Sequence, residues 1–348
     1  MIQRLLRSWT FYYLFGLLVL FLYWRAGHPG TPPLPSVNEP VSIHQTEARR
    51  TESIDVEALK QRVMNDPALT FAVSILTVFI VGMVLGGILL TLWTVASGRV
   101  RALWRFPSHH MTGWSLGECA RIILVIVLVA SLMPFVRLAL LSSSLSLVLD
   151  THWWMTLSMV ALDLMVILTV LTFAQGKANG RSLWQTLGCS RKTLVSSIET
   201  GFRGYLALFP WLFLLLLVIM HVTHALGIEP PNEPIQELIF DEHRPFVMML
   251  TAVLACVVGP IAEELLFRGV LYASLRRKVS RVAAILLSAA AFALIHTSPI
   301  GFLPIMVLGC LLAYLYERTG SLASPLAIHV LHNTFLLVLS MAFRQLTV

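Results

Sequence analysis

The sequence predicts an all-α fold, a polytopic integral membrane helix bundle of about eight to nine transmembrane helices. The composition is 57% hydrophobic and only 12% charged, with a mean hydropathy of +0.79, which describes a chain whose solvent is mostly lipid. The apolar residues also gather in runs long enough to cross about 30 Å of hydrocarbon. The charges fall between those runs. A formal net charge of +7 would be compatible with nucleic acid, but the basic residues sit in short loops, as topology signals do, and no nucleic-acid partner is expected.

Taken in order, the candidate spans are Trp9–Trp24, Ala68–Ala96, Ile122–Leu141, Trp153–Phe173, Tyr205–Leu226, Phe246–Leu275, Val282–His296, Phe302–Tyr316 and Leu322–Phe343. The first is preceded by Arg4 and Arg7, but Arg25 breaks the small-residue pattern that signal cleavage needs, so it reads as an uncleaved anchor. An external linker follows over residues 25–67, polar and proline-rich at its start, with one short helix from Asp55 to Met64. Between the fourth and fifth spans, Leu183, Trp184, Leu187, Leu194, Val195, Ile198 and Phe202 recur at helical spacing. That pattern predicts an interfacial helix over 182–203 on the cytoplasmic surface. Residues 1–245 thus form one membrane region of about five spans, and 246–343 a second.

Loop charge alternates along the chain. Arg99, Arg101 and Arg105 follow the second span, residues 142–152 carry only Asp150, Lys177 to Lys192 are basic, residues 229–242 are acidic, and Arg276 to Arg281 are basic again. Positive loops stay inside, which predicts a cytoplasmic N-terminus and insertion in the plasma (inner) membrane. The four cysteines, Cys119, Cys189, Cys256 and Cys310, contain no CxxC pair. They imply neither a disulfide frame nor a thiolate metal site.

Three ionisable residues within six positions, Glu263, Glu264 and Arg268, interrupt the sixth run. Each costs about 2.5 to 3.5 kcal/mol at a bilayer centre, so the cluster is a functional signal. Glu264 and Arg268 are four apart and share a helix face, where the guanidinium can hold the carboxylate. Glu263 points about 100° away and is left for neighbouring helices. An unpaired carboxylate in an apolar cavity suits general acid or base work. The next helix offers Phe292 and His296 four apart, and the last offers His329 and Asn333 four apart.

These residues read GPIAEELLFRG, FALIH and HVLHN, and the ordered set resembles the EExxxR, FxxxH and HxxxN motifs of the CAAX protease and bacteriocin-processing family, also called the Abi family. The resemblance implies a protease core over 246–343 and an endopeptidase acting within the membrane on a protein or peptide substrate, lipidated in some members. It implies Glu263 as the base that activates water with His296 assisting, His329 and Asn333 polarising the scissile carbonyl, and Glu264–Arg268 as a supporting ion pair. No cofactor is favoured. The alternative is a divalent metal such as zinc, held by Glu263, His296 and His329, although no HExxH is present.

Other readings stand beside this one. A membrane carrier would use Glu263, His296 and His329 as a proton or ion relay, yet two related halves with broken helices are not visible; a non-catalytic scaffold would keep the motifs without activity. His332, three residues beyond His329, competes with it for the site. Asp163 and Arg137 are candidates for a structural pair, His221 and His224 for an interfacial role, and Gly82, Gly86 and Gly87 for a close helix contact. One conflict is internal to the sequence. Counted at about 1.5 Å per residue, His296 lies about 22 Å from Arg281, whereas His329 lies about 10 Å from the turn at 319–324. The two meet only if the seventh helix is displaced or the segment through Pro299 and Pro304 turns back early.

Overall fold

The computed structural model describes residues 8–26, 56–106, 113–141, 150–177, 194–228, 240–296 and 298–347. Among them, ten helices form the bundle: α1 (Trp9–Ala26), α2 (Val56–Asn65), α3 (Pro67–Ala96), α4 (Leu116–Leu140), α5 (Thr151–Gln175), α6 (Leu194–Ala225), α7 (Pro245–Leu275), α8 (Arg281–Leu294), α9 (Phe302–Thr319) and α10 (Ala323–Thr347). Seven of these are long and apolar enough to cross a membrane, namely α3 to α7, α9 and α10. Short α8 and apolar α1 account for the other two expected runs. Polar caps set several starts: Asp66 accepts from Ala68 and Leu69, Ser115 and Glu118 form a capping box, Asp150 accepts from Trp153 and Ser280 from Ala283. Each satisfies amide groups that have no partner within their helix.

The short helix expected after the linker is present as α2. The rest of the linker, and the expected interfacial helix up to residue 193, lie outside the described residues. From Leu194 onward that segment runs into the span as one helix. The most apolar windows of α9 and α7 are 44% and 33% buried, against 11% for α3 and α10, so α7 and α9 form the protein interior while α3 and α10 face lipid over much of their surface. Val270, Tyr272, Ala284, Ala313 and Tyr316 knit α7, α8 and α9 together, and Met83, Tyr205, Phe209, Leu312 and Ile328 join α3, α6, α9 and α10.

Glycine permits the tightest of these crossings. A Cβ on Gly87 would stand 2.1 Å from the Leu206 carbonyl oxygen and 2.6 Å from the Pro210 ring. Gly87→Ala should therefore force α3 and α6 apart and cost about 1 to 3 kcal/mol, read as a lowered unfolding temperature. Gly82→Ala, with no atom within 4 Å of its added carbon, is the matched control and should leave that temperature unchanged.

The ends of the helices fall into two sets. Asp150, His152, Glu242 and Arg244 meet at one end, where Arg344 also reaches His243. At the other, Glu317 accepts from Tyr272, Arg276 and Arg281, and Arg277 donates to the Trp114 carbonyl. This division follows the loop-charge alternation. In the first set, the hydrogen bonds from Arg244 hold the Glu242 carboxyl down at about 2, from an ordinary 4.5, against the opposing effect of burial. A depressed pKa contributes stability above the unfolded value and loses it as pH falls toward the folded one. Glu242→Gln should thus lower stability by about 1 kcal/mol at pH 7, Arg244 being partly exposed. The gap from the unsubstituted protein should narrow between pH 5 and 2, as followed by thermal unfolding.

The conflict over depth is resolved by α8 and the turn that follows it. At 14 residues and about 1.5 Å each, α8 rises about 21 Å, short of the hydrocarbon thickness. Residues 299–301 then turn the chain into α9, which returns to bring Glu317 against Arg281. Gly309 lets the two arms close up, since a Cβ there would stand 3.1 Å from the Ala289 Cβ.

Candidate active site

The glutamates sit where α7 departs from regular α geometry. Residues Leu254–Val258 and Glu264–Tyr272 are π-helical, flanking the short α segment Gly259–Glu263. Widened turns of this kind are rare and cluster at functional sites. Glu264 and Arg268 are buried and pair at 2.7 Å, as the four-residue spacing predicts. Arg268 also donates to the Gly309 carbonyl at 3.3 Å, and its guanidinium lies 4.4 Å from the centre of the Phe292 ring.

His329 is the hinge of the arrangement. Its Nδ1 donates to Glu264 Oε1 at 2.9 Å, and its Nε2 lies 3.4 Å from Glu263 Oε2. With Nδ1 donating to Glu264, Nε2 is the nitrogen turned toward Glu263. Glu263 is the exposed member of the group, at 27% of its side chain against 2 to 3% for Glu264 and His329. It is the one carboxylate of the group that is not fully enclosed. His332 faces the other way and bonds the Tyr205 hydroxyl at 2.9 Å, which separates it from this cluster.

His296 lies beyond the end of α8, its Nδ1 2.8 Å from the Phe292 carbonyl. That bond places the hydrogen on Nδ1 and leaves Nε2 as an acceptor. The His296 and His329 rings stand 4.8 and 5.6 Å from the Phe292 ring, so Phe292 spaces the two histidines and backs the arginine. Asn333 donates one amide hydrogen to the Ala255 carbonyl at 2.8 Å, in the first π segment. Its second hydrogen and its oxygen remain for other partners.

Asp163 makes no ion pair with Arg137. Its Oδ2 lies 3.6 Å from where a Gly259 Cβ would be, one helical turn before Glu263, and the charges of the two acids interact. Its mid-span position marked it in sequence, but only the packing of α5 on α7 reveals its neighbour. Glu317, also buried, carried no motif; its partners Tyr272, Arg276 and Arg281 come from a stretch about forty residues earlier in the chain.

Comparison with known proteins converges on this region. The family described as "Type II CAAX prenyl endopeptidase Rce1-like" matches residues 245–335, from the first residue of α7 to two beyond Asn333. This region is similar to the CAAX protease family, as its motifs led one to expect. A Bacillus subtilis (strain 168) protein named "Putative membrane peptidase YdiL" is 28% identical over 123 residues, 35% of this chain and 48% of the relative, so the match spans about half of that relative's length. No solved structure matches the chain. The matched residues run from α7 into α10, and α1 to α6 lie outside the family match. The chain is an integral membrane protein with a region similar to membrane proteases.

Zinc is the metal the family's residues bring to mind, and the side-chain arrangement fits it poorly. Both nitrogens of His329 are turned to carboxylates. Among the described residues no three His, Cys, Asp or Glu side chains come together as a metal-binding group.

Proposed function

We propose that this protein is an intramembrane endopeptidase that hydrolyses a peptide bond of a membrane-associated substrate, prenylated or otherwise, by means of a water activated by Glu263. The observation that carries the reading is His329, held by the buried Glu264–Arg268 pair and presented to Glu263. Glu263 takes the proton of the attacking water. His329 holds and returns it, so that it reaches the leaving amine. The second Asn333 amide hydrogen stabilises the oxyanion as it forms, a donor of this kind being worth about 3 to 4 kcal/mol, and His296, whose Nε2 is an acceptor, assists Glu263 in orienting the water. Glu264 and Arg268 orient His329 and do no proton transfer.

The carrier and scaffold readings make no use of a histidine that a buried ion pair orients toward a partly exposed carboxylate. We place the N-terminus in the cytoplasm and the protein in the plasma membrane, from loop charge. The test is a proteomic comparison of membranes holding the unsubstituted protein with membranes holding Glu263→Ala, in which at least one substrate should appear cleaved only in the former. A purified protein that keeps its activity through prolonged chelation, with far less than one zinc per chain, agrees with the non-metal route. Loss on chelation and return with zinc would move Glu263, His296 and His329 to the role of ligands, and identical cleavage patterns would reject the protease reading.

A further inference from the structure

Asp163 stands at the middle of the 25-residue α5, the depth at which a carboxyl is costliest in a bilayer. It is half-buried, and among the described residues its carboxyl meets no hydrogen-bond donor and no cation. The charge it interacts with is the like charge of Glu263. An apolar side chain of the same size would serve the packing of α5 better, so the acid marks a function.

Its position says which function. Asp163 Oδ2 lies 3.6 Å from where a Gly259 Cβ would stand. Gly259 and Glu263 bound the α segment between the two π stretches, and residues four apart share a helix face, with Cβ atoms about 5 to 6 Å from each other. The Asp163 carboxyl therefore opens, from the side of α5, on the face of α7 that carries Glu263. Other acceptors around the base are occupied. Glu264 holds Arg268 and His329, and the carbonyls of Ala255, Phe292 and Gly309 hold Asn333, His296 and Arg268.

A substrate brings donors to this place. For its peptide bond to be attacked the chain must leave any helical hydrogen-bonding pattern, and in the hydrocarbon region no bulk water takes over the released N–H groups. Asn333 offers a donor to the scissile carbonyl; the N–H groups need an acceptor. A carboxyl accepts whether ionised or protonated, and an ionised one holds an N–H more strongly than a neutral acceptor does. We propose that Asp163 is a substrate-binding residue, its carboxyl accepting from a main-chain N–H beside the scissile bond and holding the unwound segment across the face of Glu263. The role presupposes the endopeptidase activity proposed above. It gives α5, outside the family match, a share in choosing the segment that is cut, and it disfavours proline, which has no N–H, at the position held.

The test uses the full chain purified in detergent and a synthetic peptide spanning a site cut by the unsubstituted protein and not by Glu263→Ala. In a series of this peptide each amide N–H flanking the scissile bond is replaced in turn by an ester oxygen. One replacement should raise KM about tenfold with the unsubstituted protein and leave it unchanged with Asp163→Leu. For the all-amide peptide Asp163→Leu should itself raise KM about tenfold, with kcat altered by less than about threefold. Asp163→Asn, which keeps an acceptor oxygen, should stay within about threefold of the unsubstituted KM. The unfolding temperature of Asp163→Leu should equal or exceed that of the unsubstituted protein, which a structural role would not give. An unchanged KM in Asp163→Leu, an ester penalty of the same size in both proteins, or a loss confined to kcat would overturn the assignment and leave the endopeptidase activity standing. If Asp163→Leu does not fold, Asp163→Ala takes its place under the same criteria. Failure of the unsubstituted protein to cut any peptide would overturn the endopeptidase activity, and the role of Asp163 with it.

Discussion

Glu263→Gln is expected to reduce peptide-bond cleavage by about 10² to 10⁴-fold, the usual contribution of a positioned general base, while leaving the protein folded and at normal levels in the membrane. The amide keeps the size of the side chain and loses its proton affinity. Because Glu263 is the partly exposed member of the cluster and holds no arginine, its neutralisation leaves no buried charge unpaired. His329 keeps Glu264. Single-turnover rates on a defined substrate, set beside thermal unfolding of the same preparations, separate the two effects. A Gln variant that cleaves at the unsubstituted rate would remove Glu263 from the chemistry.

Arg268→Ala should act in the opposite manner, on the fold first. Arg268 is buried with Glu264, holds the Gly309 carbonyl and lies over Phe292. Its removal strands Glu264 and breaks the link from α7 to the α8–α9 hairpin at once. The cost is about 3 to 5 kcal/mol, typical of a buried pair that loses one partner. Membrane levels should fall together with activity. Replacing Glu264 and Arg268 together by Gln and Met should recover part of the stability and little of the activity, since His329 would no longer be held at Nδ1. Full activity in that double variant would show that the orientation of His329 is unimportant.

The two variants differ because neighbouring residues on one helix carry different burdens, and this much was legible in the sequence. Four-residue spacing put Glu264 and Arg268 on one face and turned Glu263 away, and the pair indeed forms while Glu263 stays reachable. Spacing within one helix is a local property, set by the backbone repeat. The partner of Glu263 belongs to another helix, and there the sequence was silent: His296 was expected to assist it, whereas His329 is the histidine placed against it. Helical period gives the face of a residue but not its height relative to a residue on another helix.

The sequence by itself determined the membrane class, the order of the apolar runs, the ends at which charges gather and the residue types gathered at the candidate site. Each of these follows from transfer free energy and from the 3.6-residue repeat, which act on residues near one another in the chain. Only the tertiary structure decided that α8 stops short of a full crossing, that Phe292 lies between the two histidines, and that Asp163 stands beside Gly259. It also decided that α7 widens into π turns around the glutamates. These outcomes depend on how closely helices distant in sequence can approach, on the glycines that permit it, and on buried polar groups finding partners across helices, which no pattern along a single helix encodes.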